Sequence, residues 1–460
     1  ADFFKLHPMF VLPLIYCTAF FAAIHALYKK RDQGIFLFIV FGLPIYTISL
    51  SVSFMFGIEK LIPVFQLFKE ITIVSFLLYA ITHLKSDNNW TSIDKLMFSF
   101  FCINILYAVL PIGTYSFFER LLAVKSLSFF PLVYFTGRLL NKDHIHLHWV
   151  YTLIGVLTIA VAGVLLIELL TYTHIQQVSG YANYNQHFFD QYPSGSYGLT
   201  WTFEIENGMK RFASLFSTPL ELAAASLIAL AAAAALVTTS DNKINLNSFT
   251  AAALAASMFC VSFALSRASF ASYCIMIYVY AVVTKKKLLL QLTHTAALVA
   301  AGVLVLISFN NDFVDFIINS ITFTNASSVG HLIEWANGLE SIIKNPLGIG
   351  LGNAGRVSGF SGYNVGGENQ FIIIGVQTGI VTAGIYIATY IMVMRKALQL
   401  FKTQTGKIRR LALFIFLVKV GMLIPLFTSE AESYIYISYI TWILTGLLIN
   451  MSSKLEPSIK

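Results

Sequence analysis

The sequence predicts an all-α polytopic membrane protein of about 12–13 transmembrane helices, and three observations carry that prediction. Hydrophobic residues make up 57% of the 460 and charged residues only 11%, where a soluble domain carries roughly 25% charged. The apolar residues fall into runs of about 20, the length that crosses a bilayer as a helix. Lys and Arg gather in alternate connections between the runs, the bias of cytoplasmic loops. The chain therefore reads as a single integral membrane domain, 1–460, whose first partner is the lipid bilayer.

In chain order the predicted spans are 9–28, 35–56, 62–82, 96–113, 121–140, 149–170, 219–238, 249–266, 268–284, 288–308, 370–394, 411–428 and 434–452. The leading ADFFKLHP lacks a basic leader and no small-residue cleavage site follows, so the first run reads as a span and not a cleaved signal. Cys17, Cys102, Cys260 and Cys274 all lie inside apolar runs, as packing residues do. KKR at 29–31, KKK at 285–287 and the basic stretch from Arg395 to Arg410 mark the cytoplasmic side. The formal charge of +8 is thus a topology signal, and nucleic acid is not a predicted partner. Two long loops, 171–218 and 309–370, fall on the opposite, outer side.

The first outer loop is dense in Tyr, Asn, Gln, His and Trp, which suits sugar recognition and suits an interfacial cap equally well. At its end, in KRFASLFSTPLELA, Thr218, Pro219 and Glu221 fit a helix start, so Glu221 is read as a capping acid before a catalytic one. Lys210 and Arg211 stand beside that start, where cations and helix amides favour a bound anion; lipid headgroup contact is the alternative. Arg267 falls in the middle of a long hydrophobic stretch, at a predicted outer turn, and a charge there is a functional candidate by default. Guanidinium forks match phosphate oxygens, so Arg211 and Arg267 together are candidates for clamping a diphosphate. Arg120 and Lys125 extend the basic set at another outer mouth, with a Glu119–Arg120 pair as the competing reading. Lys69, Glu70 and Lys419 are further charges inside apolar runs.

The second outer loop carries one amphipathic segment, with Leu332, Trp335, Ala336, Leu339, Ile342 and Ile343 on one helical face. His331 and Glu334 lie on the other face, and Glu340 and Lys344 are spaced as an i,i+4 pair. The run PLGIGLGNAG follows. Its GLGNAG matches G-x-G-x-x-G but lacks the strand-to-helix context of a dinucleotide site, so the glycines are read as allowing close approach to a ligand or neighbouring helix. GENQ then places Glu368 and Asn369 at the mouth of the next span. Glu368 is a candidate base for a sugar hydroxyl, or else a helix cap or an arginine's partner. No zinc, P-loop, Ser-His-Asp or acidic metal motif is visible, so neither metal nor cofactor is expected.

With these residues on the page, the chain resembles the O-antigen polymerase and O-antigen ligase superfamily over residues 120–450. The resemblance rests on RFASLFSTPLELA, SFALSRASFASY, the helix with PLGIGLGN, and GENQFIIIGVQTGIVTAGIYI, in that order. It implies a GT-C-like fold with two periplasmic loops in a bacterial inner membrane. It implies a metal-independent, inverting glycosyltransferase that takes a glycan from undecaprenyl diphosphate at the periplasmic face, with Arg211 and Arg267 as pocket arginines. Donor and acceptor are both lipid-linked repeat units in the polymerase branch, which leaves room for a chain-length regulator as partner. Two departures bear on the branch: ligases have a His-Asn pair where Glu368 and Asn369 stand, and His331 replaces an arginine usual at the start of the loop helix. The first favours a polymerase over a ligase acting on lipid A core or protein. A flippase is the rival of another class, but neither related halves nor broken mid-membrane helices are visible.

Overall fold

A hydrophobic chain in lipid must satisfy its backbone internally, and helices do so within each segment. The computed structural model describes residues 7–83, 90–205, 208–239, 243–307, 326–355 and 364–453. Among these there are no strands, only three isolated bridges. Among the described residues eight helices are long and apolar enough to cross a membrane, and a bent pair, Asp32–Gly42 with Tyr46–Met55 at 62°, supplies up to a ninth. That is fewer than the 12–13 expected: the run 121–140 is split into helices Phe117–Ser128 and Phe130–Leu139, and Ser248–Phe263 and Arg267–Val283 are shorter apolar helices. The chain is an all-α polytopic membrane protein.

We number the helices α1 (Val11–Tyr28), α2 (Tyr46–Met55), α3 (Ile62–Thr82), α4 (Ser92–Val109), α5 (Phe117–Ser128), α6 (Phe130–Leu139), α7 (Leu147–Thr171), α8 (Tyr181–Phe189), α9 (Pro219–Val237), α10 (Ser248–Phe263), α11 (Arg267–Val283), α12 (Lys287–Ile307), α13 (Ala326–Lys344), α14 (Gln370–Thr403), α15 (Gly406–Thr428) and α16 (Ile435–Ser452). Most starts and stops agree with the apolar runs within three residues. Three starts do not: the helix expected at 411 begins at Gly406 without a side-chain cap, and polar caps explain the other two. The run expected at 96 begins as a helix at Ser92, because Thr91 accepts from the Asp94 amide at 3.3 Å and the Asp94 carboxylate accepts from the Thr91 amide at 2.7 Å. The run expected at 121 begins at Phe117 behind the same reciprocal cap, Ser116 with Glu119. Such boxes satisfy two orphan amides at once.

α9, α15 and α16 are the most enclosed spans. α16 packs on α6 through small residues: a Cβ on Gly137 would strike the carbonyl of Ile443, and one on Gly446 the carbonyl of Tyr134. Without a hydrophobic drive between helices in lipid, such backbone approach is what holds spans together.

α14 departs from the simple reading, and with the bent pair it corrects the expectation that no span is broken. Its 34 residues would span about 51 Å at ~1.5 Å per residue, well beyond a hydrocarbon core of about 30 Å. The helix breaks at Gly379, whose φ of 84° and ψ of 170° only glycine adopts cheaply. The chain after Pro346 fills the break. Ile349 and Gly350 donate their amides to the carbonyls of Val376 and Gln377 at 2.8 and 3.1 Å, and Ile380 donates to Pro346 at 2.9 Å. The side chain of Gln377 completes the join, accepting from Gly352 at 2.8 Å and donating to Ala354 at 3.1 Å. The glycine run thus approaches neighbouring backbone, as its composition suggested.

Replacing Gly446 by Ala must push α16 from α6 and should lower stability by about 1–3 kcal/mol. Gly163→Ala on α7, where a Cβ meets nothing within 4 Å, should not. Thermal unfolding of the two variants in detergent checks the contrast.

Candidate functional site

The loop 172–218 is tied down before it delivers Arg211. The buried Glu168 carboxylate, one turn from the end of α7, accepts the amides of Ile175 at 2.8 Å and Ser214 at 2.9 Å. Arg211 pairs through its own amide with the carbonyl of Phe203 at 2.9 Å. Two further bonds fasten this stretch to the turn between α10 and α11. The Phe212 amide donates to Phe263 at 3.3 Å, and Arg211 Nε donates to the carbonyl of Ala264 at 3.2 Å.

That turn carries Arg267, the exposed first residue of α11. The bonds therefore bring the Arg211 stretch onto the turn that leads into Arg267, 56 positions further along the chain, and Arg211 feels the charge of Arg267. Both flanks hold non-glycine residues in the left-handed region, Ser214 and Leu265, each at φ 49°. For a branched side chain such as Leu this conformation is strained, and strained backbone persists where surrounding structure enforces it.

Burial pushes the Arg211 guanidinium down to about 10, with Tyr434 opposing, Arg267 reinforcing the drop and Glu368 opposing. Arg211 remains a cation at neutral pH. Its electrostatic neighbours are thus Tyr434, Arg267 and Glu368, drawn from three separate connections. A partly desolvated cation beside a second cation is a place that an anion stabilises.

Glu368 is exposed, just before α14. Asn369 is buried and caps α14, its Oδ1 accepting from Phe371 at 3.0 Å and Ile372 at 3.2 Å; its amide oxygen is committed there. α13 crosses over this segment. Gly338 lies against Gly366, and the side chain of Glu334 against Gly367, so the loop helix packs on the segment just before the exposed Glu368. The apolar face expected on α13 is only partly used. Trp335 and Ile342 pack on the core, whereas Leu332, Leu339 and Ile343 stay exposed because one narrow helix meets the bundle along a single edge. His331 sits 3.8 Å from Glu334, and Glu340 and Lys344 form the expected pair at 2.5 Å.

The remaining expected cations are held by other partners. Lys210 is buried between the rings of Tyr172 and Tyr197, 4.2 and 4.5 Å from their centroids, and donates to the Tyr172 carbonyl at 2.5 Å. Burial lowers its pKa, against the pull of Glu168. Arg120 is buried and donates to the Leu110 carbonyl at the end of α4. It does not take the Glu119 carboxylate of the alternative reading, which caps α5 instead. Lys125 bonds Glu70 at 2.8 Å, and Lys69 joins the same oxygen at 3.2 Å. Glu221 behaves as read: Thr218 accepts its amide at 3.3 Å, and its carboxylate returns to the amide of Ser217 at 3.2 Å.

One turn escaped the sequence reading. Between α15 and α16, Ser429–Tyr434 brings Tyr434 to Arg211, Glu430 against Gly355, and Glu432 into the bundle. Glu432 accepts from Tyr386 at 2.7 Å and from Ser438 and Trp442 at 2.9 Å each. The signal was present as two acids within six residues between apolar runs. Among the described residues no group of three or more His, Cys, Asp and Glu is placed to hold a metal ion. No protein-family model matches the chain, and no curated protein matches it.

The anchoring of this loop predicts a pH dependence. His174 is buried against Phe212 and Phe203, both ring nitrogens lack a hydrogen-bond partner among the described residues, and burial, then Lys210, push its pKa down to about 4. The unfolded chain takes up this proton near pH 6.5 while the folded protein refuses it until about 4. Stability should therefore be full above pH 6.5 and fall as pH drops toward 4, by up to about 2 kcal/mol at pH 5. His174→Phe should shrink the difference between unfolding midpoints measured at pH 7.5 and pH 5.

Proposed function

We propose that the protein is a glycosyltransferase that lengthens a glycan carried on undecaprenyl diphosphate, acting on the loop-bearing face of a bacterial inner membrane. The observation that carries this reading is the pairing of Arg211 and Arg267 at one site with Glu368. Two guanidinium groups fit the oxygens of a diphosphate, and an adjacent exposed carboxylate fits an acceptor hydroxyl. The sequence resemblance to O-antigen polymerases points the same way, with Glu368 in place of the ligase histidine.

In this reaction the acceptor hydroxyl oxygen attacks the anomeric carbon of the donor glycan and forms the new glycosidic bond. The bond from that carbon to the phosphate oxygen breaks, and its electron pair leaves with the diphosphate. Arg211 and Arg267 stabilise the charge growing on the leaving group, which preorganised cations do at least reorganisation cost. Glu368 orients the hydroxyl and takes its proton. Direct attack inverts the anomeric centre. The diphosphate bound to the arginines also removes the repulsion between them, so donor binding and site stability are linked.

The test uses purified protein in liposomes with lipid-linked repeat units as the only glycan. A polymerase lengthens chains without another acceptor. Arg211→Ala and Arg267→Ala should each slow lengthening by roughly 10²–10³-fold, and normal chain growth from either removes that residue from the mechanism. Glu368→Gln should lower kcat by about 10²-fold or more with donor binding retained; an unchanged kcat returns Glu368 to a structural role.

A further inference from the structure

A cavity of about 240 Å³ lies between α3, α5 and α16, beside the Ser429–Tyr434 turn, with room for roughly eight waters at ~30 Å³ each. Its walls include Glu70, Lys125, Ser126, Phe129, Ser438 and Tyr439. We infer that it is a second binding site, and that it takes a neutral polyhydroxylated ligand, a sugar ring of the acceptor glycan.

The charges decide the ligand class. Oε1 of Glu70 holds both Lys69 and Lys125, and Lys69 also donates to the Tyr46 hydroxyl at 2.9 Å and the Gln66 carbonyl at 3.0 Å. Glu432, which also lines the cavity, brings a second carboxylate. Two ammonium groups facing two carboxylates leave no net positive charge, so a phosphate gains nothing here and meets like charge. A lipid tail would desolvate these groups without replacing their hydrogen bonds. A sugar answers both objections. Oε2 of Glu70 is buried and has no hydrogen-bond partner among the described residues, ready to accept from a hydroxyl. Lys125, whose side chain is 41% exposed, donates to ring or hydroxyl oxygens. Phe129 and Tyr439, whose rings stack at 5.6 Å with 19° between planes, give the cavity aromatic lining against which the C–H face of a pyranose packs. Ionisable side chains inside a membrane bundle mark ligand pathways more often than structure.

Position supports acceptor over donor. Glu432 and Ser433 line the cavity while Tyr434, next in the chain, acts on Arg211. The two sites back onto one short turn. The choice of acceptor rests on the glycan-transfer reading; the claim that a saccharide binds here rests on the cavity alone.

Saturation-transfer NMR on the full chain in nanodiscs tests it, with glucose, galactose and N-acetylglucosamine as saccharide probes and inorganic pyrophosphate followed by phosphorus line width. Wild type should transfer saturation to at least one saccharide. Ser126→Phe, which fills the cavity, should weaken that binding roughly tenfold or more, a loss of ~1.4 kcal/mol, with the pyrophosphate response intact. Glu70→Gln, which keeps the shape but releases two ammonium groups, should lose the saccharide and gain pyrophosphate affinity, and it decides the matter if Ser126→Phe fails to fold. No transfer to any probe, or transfer that survives both substitutions, overturns the inference. A pyrophosphate response indifferent to Arg267→Ala would instead sink the glycan-transfer reading and leave the cavity's ligand class standing.

Discussion

Two hydrogen bonds between distant loops set up the rest of the site: Phe212 to Phe263 and Arg211 to Ala264. They carry the end of the first long loop onto the turn between α10 and α11, and so bring Arg211 within the field of Arg267. Burial and Arg267 act against the charge on Arg211, while Tyr434 and Glu368 support it. Left-handed Ser214 and Leu265 add backbone strain on both sides. The Glu168 carboxylate, holding the amides of Ile175 and Ser214, keeps the loop from relaxing. On the proposed function, a diphosphate bound here would offset that cost.

The bundle serves that constraint from the other side. α14 stops being a plain span at Gly379, and the chain after Pro346 hydrogen-bonds into the gap. Irregular backbone at this depth is tolerated only where protein covers it. The join fixes the glycine run, which puts Gly355 against Glu430, and it holds the start of α14 where Glu368 reaches Arg211's surroundings. The Ser429–Tyr434 turn links several parts of this face: Glu430 to the glycine run, Glu432 to the cavity, Tyr434 to Arg211.

Most helices were legible because the signal of an apolar run is additive, and α3 fell at 62–82 as read; the count was not, since the runs 35–56 and 121–140 are each broken into shorter helices. Arg211 and Arg267 stood out in sequence because charge in or beside an apolar run is rare, and the structure makes Arg267 an electrostatic neighbour of Arg211. What stayed hidden depended on tertiary placement. Lys210, Arg120 and Lys125 look like Arg211 in sequence, yet an aromatic sandwich, a carbonyl and Glu70 hold them. The break in α14 hid because Gly379 sits within an unbroken apolar run, and only the amides of Ile349 and Gly350 make it cheap. The Glu430 and Glu432 turn was passed over as a short connection, since nothing in six residues announces that three sites meet there.

A double-mutant cycle on pyrophosphate binding, with Arg211→Gln and Arg267→Gln singly and together, measures whether the two cations share one ligand. The account predicts coupling well above ~0.5 kcal/mol, the single losses summing to more than the double loss. Losses that add within about 0.3–0.5 kcal/mol would mean independent residues, and would contradict it.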